Sequence, residues 1–199
     1  MNLELLFPTP VAFYDLGRDL TAKELAFLDK QKRRPNEGNQ SSVDNYILES
    51  KELGKLKARI FECLSEYTFD CLKVDKTLGT RITQSWLNWS KPSQYHHKHA
   101  HPNSFVSGVF YIDAKEDRDQ ITFFKEGYKQ IKPKIDEWTR WNSESWWLPV
   151  KTGHIVLFPS DLTHMVKTVG DGEERVSLAF NSFLTGKVGE NQNLTELIL

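Results

Sequence analysis

The sequence predicts an α+β chain, mostly β, in which N-terminal helices brace an antiparallel sandwich or double-stranded barrel. Three observations predict it. Up to about residue 73 apolar residues recur at helical spacings of three and four. Beyond that the pattern changes to short β-branched and aromatic runs broken by charged or glycine-bearing turns. The connections between those runs are too short for crossover helices, which argues for antiparallel neighbours.

Taken in order, "TAKELAFLDKQKRR" opens with Thr21 and carries Glu24 three places on, a capping box that starts a short helix with Leu25, Phe27 and Leu28 as its apolar stripe. "RPNEGNQSSVDN", Arg34 to Asn45, is polar and aperiodic; it reads as an exposed loop and a candidate to close over a site. From Ser50, Leu53, Leu56, Ile60, Cys63, Leu64, Tyr67 and Cys71 form one face of a long amphipathic helix. "TRITQSWLNWS" then alternates, with Ile82, Gln84, Trp86 and Asn88 on one face and Thr83, Ser85, Leu87 and Trp89 on the other. "SFVSGVFYID", "DQITFFK", "SWWLPV", "GHIVLFP", "THMVKTV" and "RVSLAFNSFL" are the further strands. The long "KEGYKQIKPKIDEWTRWNSESW" is expected to cover the barrel mouth or an edge. The whole is one domain over 1–199: helical support over 1–75, a β core over 80–185 and a C-terminal tail over 186–199.

With 26 basic and 27 acidic residues the formal charge is -1. A nucleic-acid binder would show a basic excess, so none is expected as a partner. "MNLELLFPTPVAFYDL" is not a secretory signal and no run approaches the roughly 20 apolar residues of a membrane span, so a cytoplasmic protein without a membrane partner is expected. Cys63 and Cys71, about 12 Å apart on one helix face, are expected as reduced, buried thiols. Trp86, Trp89, Trp138, Trp141, Trp146 and Trp147 are expected mainly in core packing and edge coverage, with a substrate rim as the lesser reading.

Four of six histidines fall within "HHKHAH", residues 96–101. Side chains two apart on a strand share a face, so His97 with His99, or His99 with His101, can offer two imidazoles to one cation. The place of His99 and His101, directly before Pro102 and the apolar run from Phe105, favours that pair and leaves His96 and His97 outside. A third ligand is available from His164 in "GHIVLFPSDLTHMV"; His154, beside Gly153, reads as solvent-facing. Arg175, with Ser177 two places on, lies among apolar residues and needs an anionic partner, from an acidic residue of the chain or from a bound carboxylate.

"HAHPNSFVSGVFY", "GHIVLFPSDLTHMV" and "RVSLAFN", in this order and spacing, resemble the 2-oxoglutarate and Fe(II)-dependent oxygenases over roughly Trp86 to Leu184. The similarity is to the prolyl-hydroxylase-like branch in its uncharacterised phage and bacterial members, with host cytoplasm as the place of action if viral. It implies a double-stranded β-helix, or jelly roll; iron held by His99, His101 and His164; and 2-oxoglutarate and O2 as co-substrates. Arg175 and Ser177 would grip the far carboxylate of 2-oxoglutarate, with hydrogen bonds from Tyr111 or Asn88. The implied activity is hydroxylation of a protein side chain or small metabolite.

One departure stands out. Most of that superfamily carries a carboxylate two places after the first histidine, where this chain has His101. Three neutral imidazoles leave the cation one unit more positive and softer, favouring competition from Zn, Cu or Ni. Asp161, three residues before His164, or a loop carboxylate is the candidate for the missing charge. The rival readings are a cupin-like metal-binding module without oxygenase activity, which would not need a buried Arg175, and an assembly component with vestigial histidines.

Overall fold

In the computed structural model, which describes residues 1–127, 131–168 and 172–199, a layer of helices backs a seven-stranded sheet and a four-stranded sheet closes over its other face. The large sheet runs β1 (Ala12–Asp15), β9 (His154–Pro159), β6 (Val106–Asp113), β11 (Arg175–Thr185), β4 (Gly79–Ser90), β3 (Asn39–Ser42) and β2 (Arg33–Asn36). The small sheet runs β5 (His96–His99), β10 (His164–Val166), β7 (Gln120–Phe124) and β8 (Ser145–Pro149). Every pairing within these sheets is antiparallel. No helix among the described residues is long and apolar enough to cross a membrane.

Period-two alternation divides the core in two. Leu87 and Trp89 of β4, Phe110 of β6 and Leu178 and Phe180 of β11 point outward and bury against Leu28 of α1 (Ala22–Asp29) and Leu56, Ile60 and Leu64 of α2 (Gly54–Glu66). Their neighbours point between the sheets, where Tyr111, Val156 and Phe158 meet Ile121 and Phe123. Gly108 of β6 lies opposite Phe180 and Leu157, and a Cβ there would come within 2.2 Å of the Phe180 ring.

The capping box forms as expected: Glu24 N–H donates to Thr21 Oγ1 at 3.3 Å and Thr21 N–H to Glu24 Oε2 at 2.8 Å. Arg18 adds a two-pronged ion pair at 2.8 and 2.7 Å. Of the expected stripe, Leu28 is buried, Phe27 partly so, and Leu25 is 40 % exposed. Two 3-10 turns, Ile47–Glu49 and Lys51–Leu53, lead into α2, and a π-helical turn, Tyr67–Cys71, ends it. That turn's wider winding rotates Cys71 to an exposed position. Cys63 alone is a buried thiol.

All six further strand candidates form, although "THMVKTV" narrows to β10 and its Val169 falls outside the described residues. Two expectations fail. Arg34–Asn45 is not a free loop: β2 and β3 form a hairpin that joins the large sheet beside β4, with Gln40 opposite Trp89 and Ser41 opposite Asn88. Its buried surface is polar, with Ser42 Oγ accepting from Leu87 N–H at 3.0 Å, so no apolar alternation marks it. In β4 the pairing advances from Gln84–Asn181 to Ile82–Ser182, leaving Thr83 as a bulge. The extra residue reverses the faces, and Ile82 packs with the helices rather than with Trp86 and Asn88. β1 was not expected from the sequence, and the C-terminal stretch folds back as the ribbon β12 (Lys187–Val188) and β13 (Leu197–Ile198).

The Arg18 guanidinium and the Thr21 hydrogen bonds hold the Glu24 carboxyl down at about 2, despite an opposing desolvation effect. Because that value lies below the unfolded one, the stabilisation is complete above about pH 4.5 and is lost as pH falls towards 2. Glu24→Gln should therefore cost about 1–2 kcal/mol near neutral pH, and flatten the acid limb of a Tm-versus-pH curve between those values. Gly108→Ala should destabilise by about 1–3 kcal/mol through overpacking, measured by denaturant unfolding.

Candidate metal and 2-oxoglutarate site

Between the two sheets, strand register gathers residues far apart in sequence. On the large sheet, Ser177 of β11 lies opposite Asn88 of β4 on one side and Tyr111 of β6 on the other, and Ala179 likewise faces Trp86 and Val109. Arg175, two residues from Ser177, points the same way. On the small sheet, His164 of β10 lies directly opposite His99 of β5. These residues, with His96, His101, Ile121 and Val166, line one cavity of about 30 Å³. A larger cleft of about 570 Å³ near Asp15, Arg18 and Gly153 shares none of this lining.

His99, His101 and His164 each offer a nitrogen, and these atoms all lie within 4.8 Å of one another. The ring centroids are 4.4 Å apart for His99–His164, 4.9 Å for His99–His101 and 5.1 Å for His101–His164. Two backbone carbonyls orient the rings: His99 Nδ1 is 2.8 Å from the His97 carbonyl and His164 Nδ1 is 3.0 Å from the Leu162 carbonyl. A carbonyl only accepts, so each Nδ1 carries its proton and each Nε2 lone pair is free for a cation. Burial, reinforced by neighbouring histidines, pushes His101 down to about 3 and His164 down to about 4; burial also lowers His99. All three are neutral at neutral pH, and the donor set fits a divalent first-row ion.

At the other end of the cavity Arg175 is 1 % exposed. Its Nη2 donates to Ser90 Oγ at 3.2 Å, while Nε and Nη1 have no hydrogen-bond partner, and neither has Asn88 Oδ1 nearby on β4. No described carboxylate pairs with Arg175; Asp119, the acid that influences it, is engaged by Arg118 at 2.7 Å. Burial lowers the Arg175 pKa, with Tyr111 and Asp119 opposing. Burial also raises the Tyr111 phenol to about 12, Arg175 acting against it, so it remains a hydrogen-bond donor. An ion left this way costs several kcal/mol unless an anion enters.

Most candidates thus meet, and the exceptions are informative. Asp161 is exposed on a different cleft with Pro8, Pro10 and Leu162, and no described carboxylate joins the His99 trio. His154 is packed edge-on against Phe13 and lies 3.8 Å from Asp15, neither at the site nor free in solvent. His96, expected outside, lines the cavity. The pairing passes from His164–His99 to Val166–His96, three residues of β5 against two of β10, so a bulge turns His96 to the same face as His99. Ser90, which holds Arg175, and Trp86, whose ring lies 5.7 Å from that of His101, also belong to the site. The Arg175–Ser90 register carries no local signal. Of the other tryptophans, Trp89 is buried beneath Arg33, Arg140 lies over Trp146, and Trp138, Trp141 and Trp147 are exposed.

Residues 84–181 match the family model described as "Putative 2OG-Fe(II) oxygenase", which spans all of these residues. The chain is a 2OG-Fe(II) oxygenase. It is accordingly an enzyme of the class that uses Fe(II), 2-oxoglutarate and O2, and 2-oxoglutarate is its co-substrate. Solved structures agree on the fold. HygX of Streptomyces hygroscopicus, crystallised with nickel, 2-oxoglutarate and hygromycin B, aligns with a TM-score of 0.61 at 10% identity, over 87% of this chain and 82% of that one. A Pseudomonas putida prolyl-4-hydroxylase aligns at 0.55 and 14% identity, over 87% and 92%. An oxidoreductase of the 2OG-Fe(II) oxygenase family from Burkholderia pseudomallei aligns at 0.56 and 15% identity, over 81% and 76%. The fold of this oxygenase is the double-stranded β-helix. No curated protein sequence matches it.

Arg175→Met separates the burden of the buried charge from its use. The metal-free Met variant should be at least as stable as wild type in chemical denaturation, because an unpaired ion is exchanged for an apolar chain of similar reach. A loss of about 3 kcal/mol or more would mean that the guanidinium is already satisfied within the protein.

Proposed function

We propose that the oxygenase holds Fe(II) through His99, His101 and His164, binds the far carboxylate of 2-oxoglutarate with Arg175 and Ser177, and hydroxylates a protein side chain or small metabolite. The single observation that carries this is a buried guanidinium with two unpartnered nitrogens, in one cavity with three neutral imidazoles, two of them oriented by backbone carbonyls. Ferrous iron, when bound there, supplies the redox chemistry that couples 2-oxoglutarate decarboxylation to oxidation of a C–H bond by O2. The chain does the rest: the His97 and Leu162 carbonyls keep two ligands in one tautomer, and Ile121, Val109 and Ala179 line the cavity with apolar surface that limits water. Arg175 fixes one end of the co-substrate by charge and geometry, with Asn88 and Tyr111 in the same cavity to add hydrogen bonds.

The substrate range follows the breadth of the fold's uses: HygX was crystallised with hygromycin B, and the Pseudomonas putida relative is a prolyl-4-hydroxylase. The cupin-like binding module is disfavoured by the family match and by the buried Arg175, for which it has no use. Because the trio adds no negative charge, the dianionic co-substrate supplies the nearest charge compensation for the metal, and the two ligands should bind cooperatively.

Succinate formation from 2-oxoglutarate with Fe(II) and ascorbate tests the reading without knowledge of the substrate. His164→Ala and His99→Ala should abolish it; turnover that survives both would remove the assigned ligands. Mn(II) with 2-oxoglutarate at about 100 times Kd should stabilise wild type by about 2.7 kcal/mol, or roughly 5–10 °C in Tm for a chain of this size. Arg175→Met should lose the 2-oxoglutarate part of that shift and keep the metal part.

A further inference from the structure

The bulge that turns His96 inward also assembles a second group. His96, His97 and His99 each offer a nitrogen within 4.8 Å of the other two. Their ring centroids are 5.2, 4.7 and 4.7 Å apart, as close together as those of the inner trio. His97 Nδ1 is shielded from solvent and has no hydrogen-bond partner, and the nearest acid, Glu37 Oε2, stands 3.9 Å from it.

Glu37 is held there by the fold. It sits in the turn of the β2–β3 hairpin, where the Gly38 carbonyl accepts from Tyr95 N–H at 3.1 Å, one residue before β5 begins. Gly38 has φ +83°, and a Cβ on it would meet the Tyr95 carbonyl oxygen at 2.6 Å, so only glycine lets the hairpin approach this closely. The hairpin therefore places one carboxylate beside His97, at the edge of the three imidazoles.

We propose that His96, His97 and His99, completed by the Glu37 carboxylate, form an outer binding site for a late first-row divalent cation of the zinc type, which competes with the inner site for His99. Imidazole nitrogens with one carboxylate oxygen are a donor set that suits Zn(II) in four-coordinate geometry. His99 is the shared element. Its Nδ1 is committed to the His97 carbonyl, which leaves one ring nitrogen and hence one cation at a time. Zinc in the outer site withdraws His99 from the inner one, and so inhibits the oxygenase. The binding site stands on its own residues; only the inhibition rests on the proposed inner ligands.

Calorimetric titration of metal-free protein with Zn(II) tests the site directly. The variant His101→Ala/His164→Ala, which dismantles the inner trio, should still bind one Zn(II), and adding His97→Gln and Glu37→Gln should weaken that binding at least about tenfold. No binding by the first variant, or equal binding by the second, overturns the proposal. Circular dichroism checks that both remain folded. Should either unfold, His97→Gln in otherwise wild-type protein decides: the Zn(II) concentration that halves succinate formation should rise at least about tenfold, and an unchanged inhibition curve rejects the outer site. Failure of the iron and 2-oxoglutarate reading would show differently, as absent succinate formation in wild type with the Zn(II) titrations intact.

Discussion

A guanidinium buried between two β-sheets, with no acid paired to it among the described residues, is the constraint around which the rest of this oxygenase is arranged. Arg175 is 1 % exposed, and the described residues give it one serine hydroxyl and no carboxylate. The desolvation is tolerated because the surrounding layers are well packed: α1 and α2 cover one face of the large sheet, and the small sheet covers the other. A charge retained at that cost suits an incoming anion, and the histidine trio lines the same cavity.

Alternation and its interruptions do the positioning. Arg175, Ser177 and Ala179 face inward because they are two residues apart on β11, and the registers with β4 and β6 set Asn88, Tyr111, Trp86 and Val109 beside them. The bulges then correct what strict alternation would misplace: one at Thr83 returns Ile82 to the helix side, and one in β5 brings His96 and His99 to the same face. Asn88, Tyr111, Arg175 and Ser177 stand on long strands whose backbone is fixed by ladder hydrogen bonds, and His101, in the loop after β5, is tied by its N–H to the Ser160 carbonyl.

With His101 as a ligand in place of the usual carboxylate, as proposed, the electrostatics of the centre would change. Three neutral imidazoles and Arg175 leave the cavity strongly cationic once a divalent metal is present, and its anionic co-substrate becomes part of the charge balance. Such a site would be selective by geometry and supply rather than by ligand charge, since imidazole accommodates Fe, Ni, Cu and Zn alike. That is the setting in which a competing histidine cluster one step outward acquires a consequence.

Much was legible in the residues themselves. Local chemistry is enough for the capping box at Thr21 and Glu24, the six later strands and the shared face of Arg175 and Ser177, and a motif in fixed order singles out His99, His101 and His164, which the fold brings together. Tertiary structure alone decided the rest. The polar hairpin Arg33–Ser42 joins the sheet through buried hydroxyls and amides that leave no hydrophobic pattern. The inward turn of His96 depends on how many residues of β10 oppose three of β5, the loss of Cys71 from the helix face on a π turn, and the isolation of Arg175 on which acids the other strands bring near. Register and solvation are properties of pairs of segments distant in the chain, and no single segment carries them.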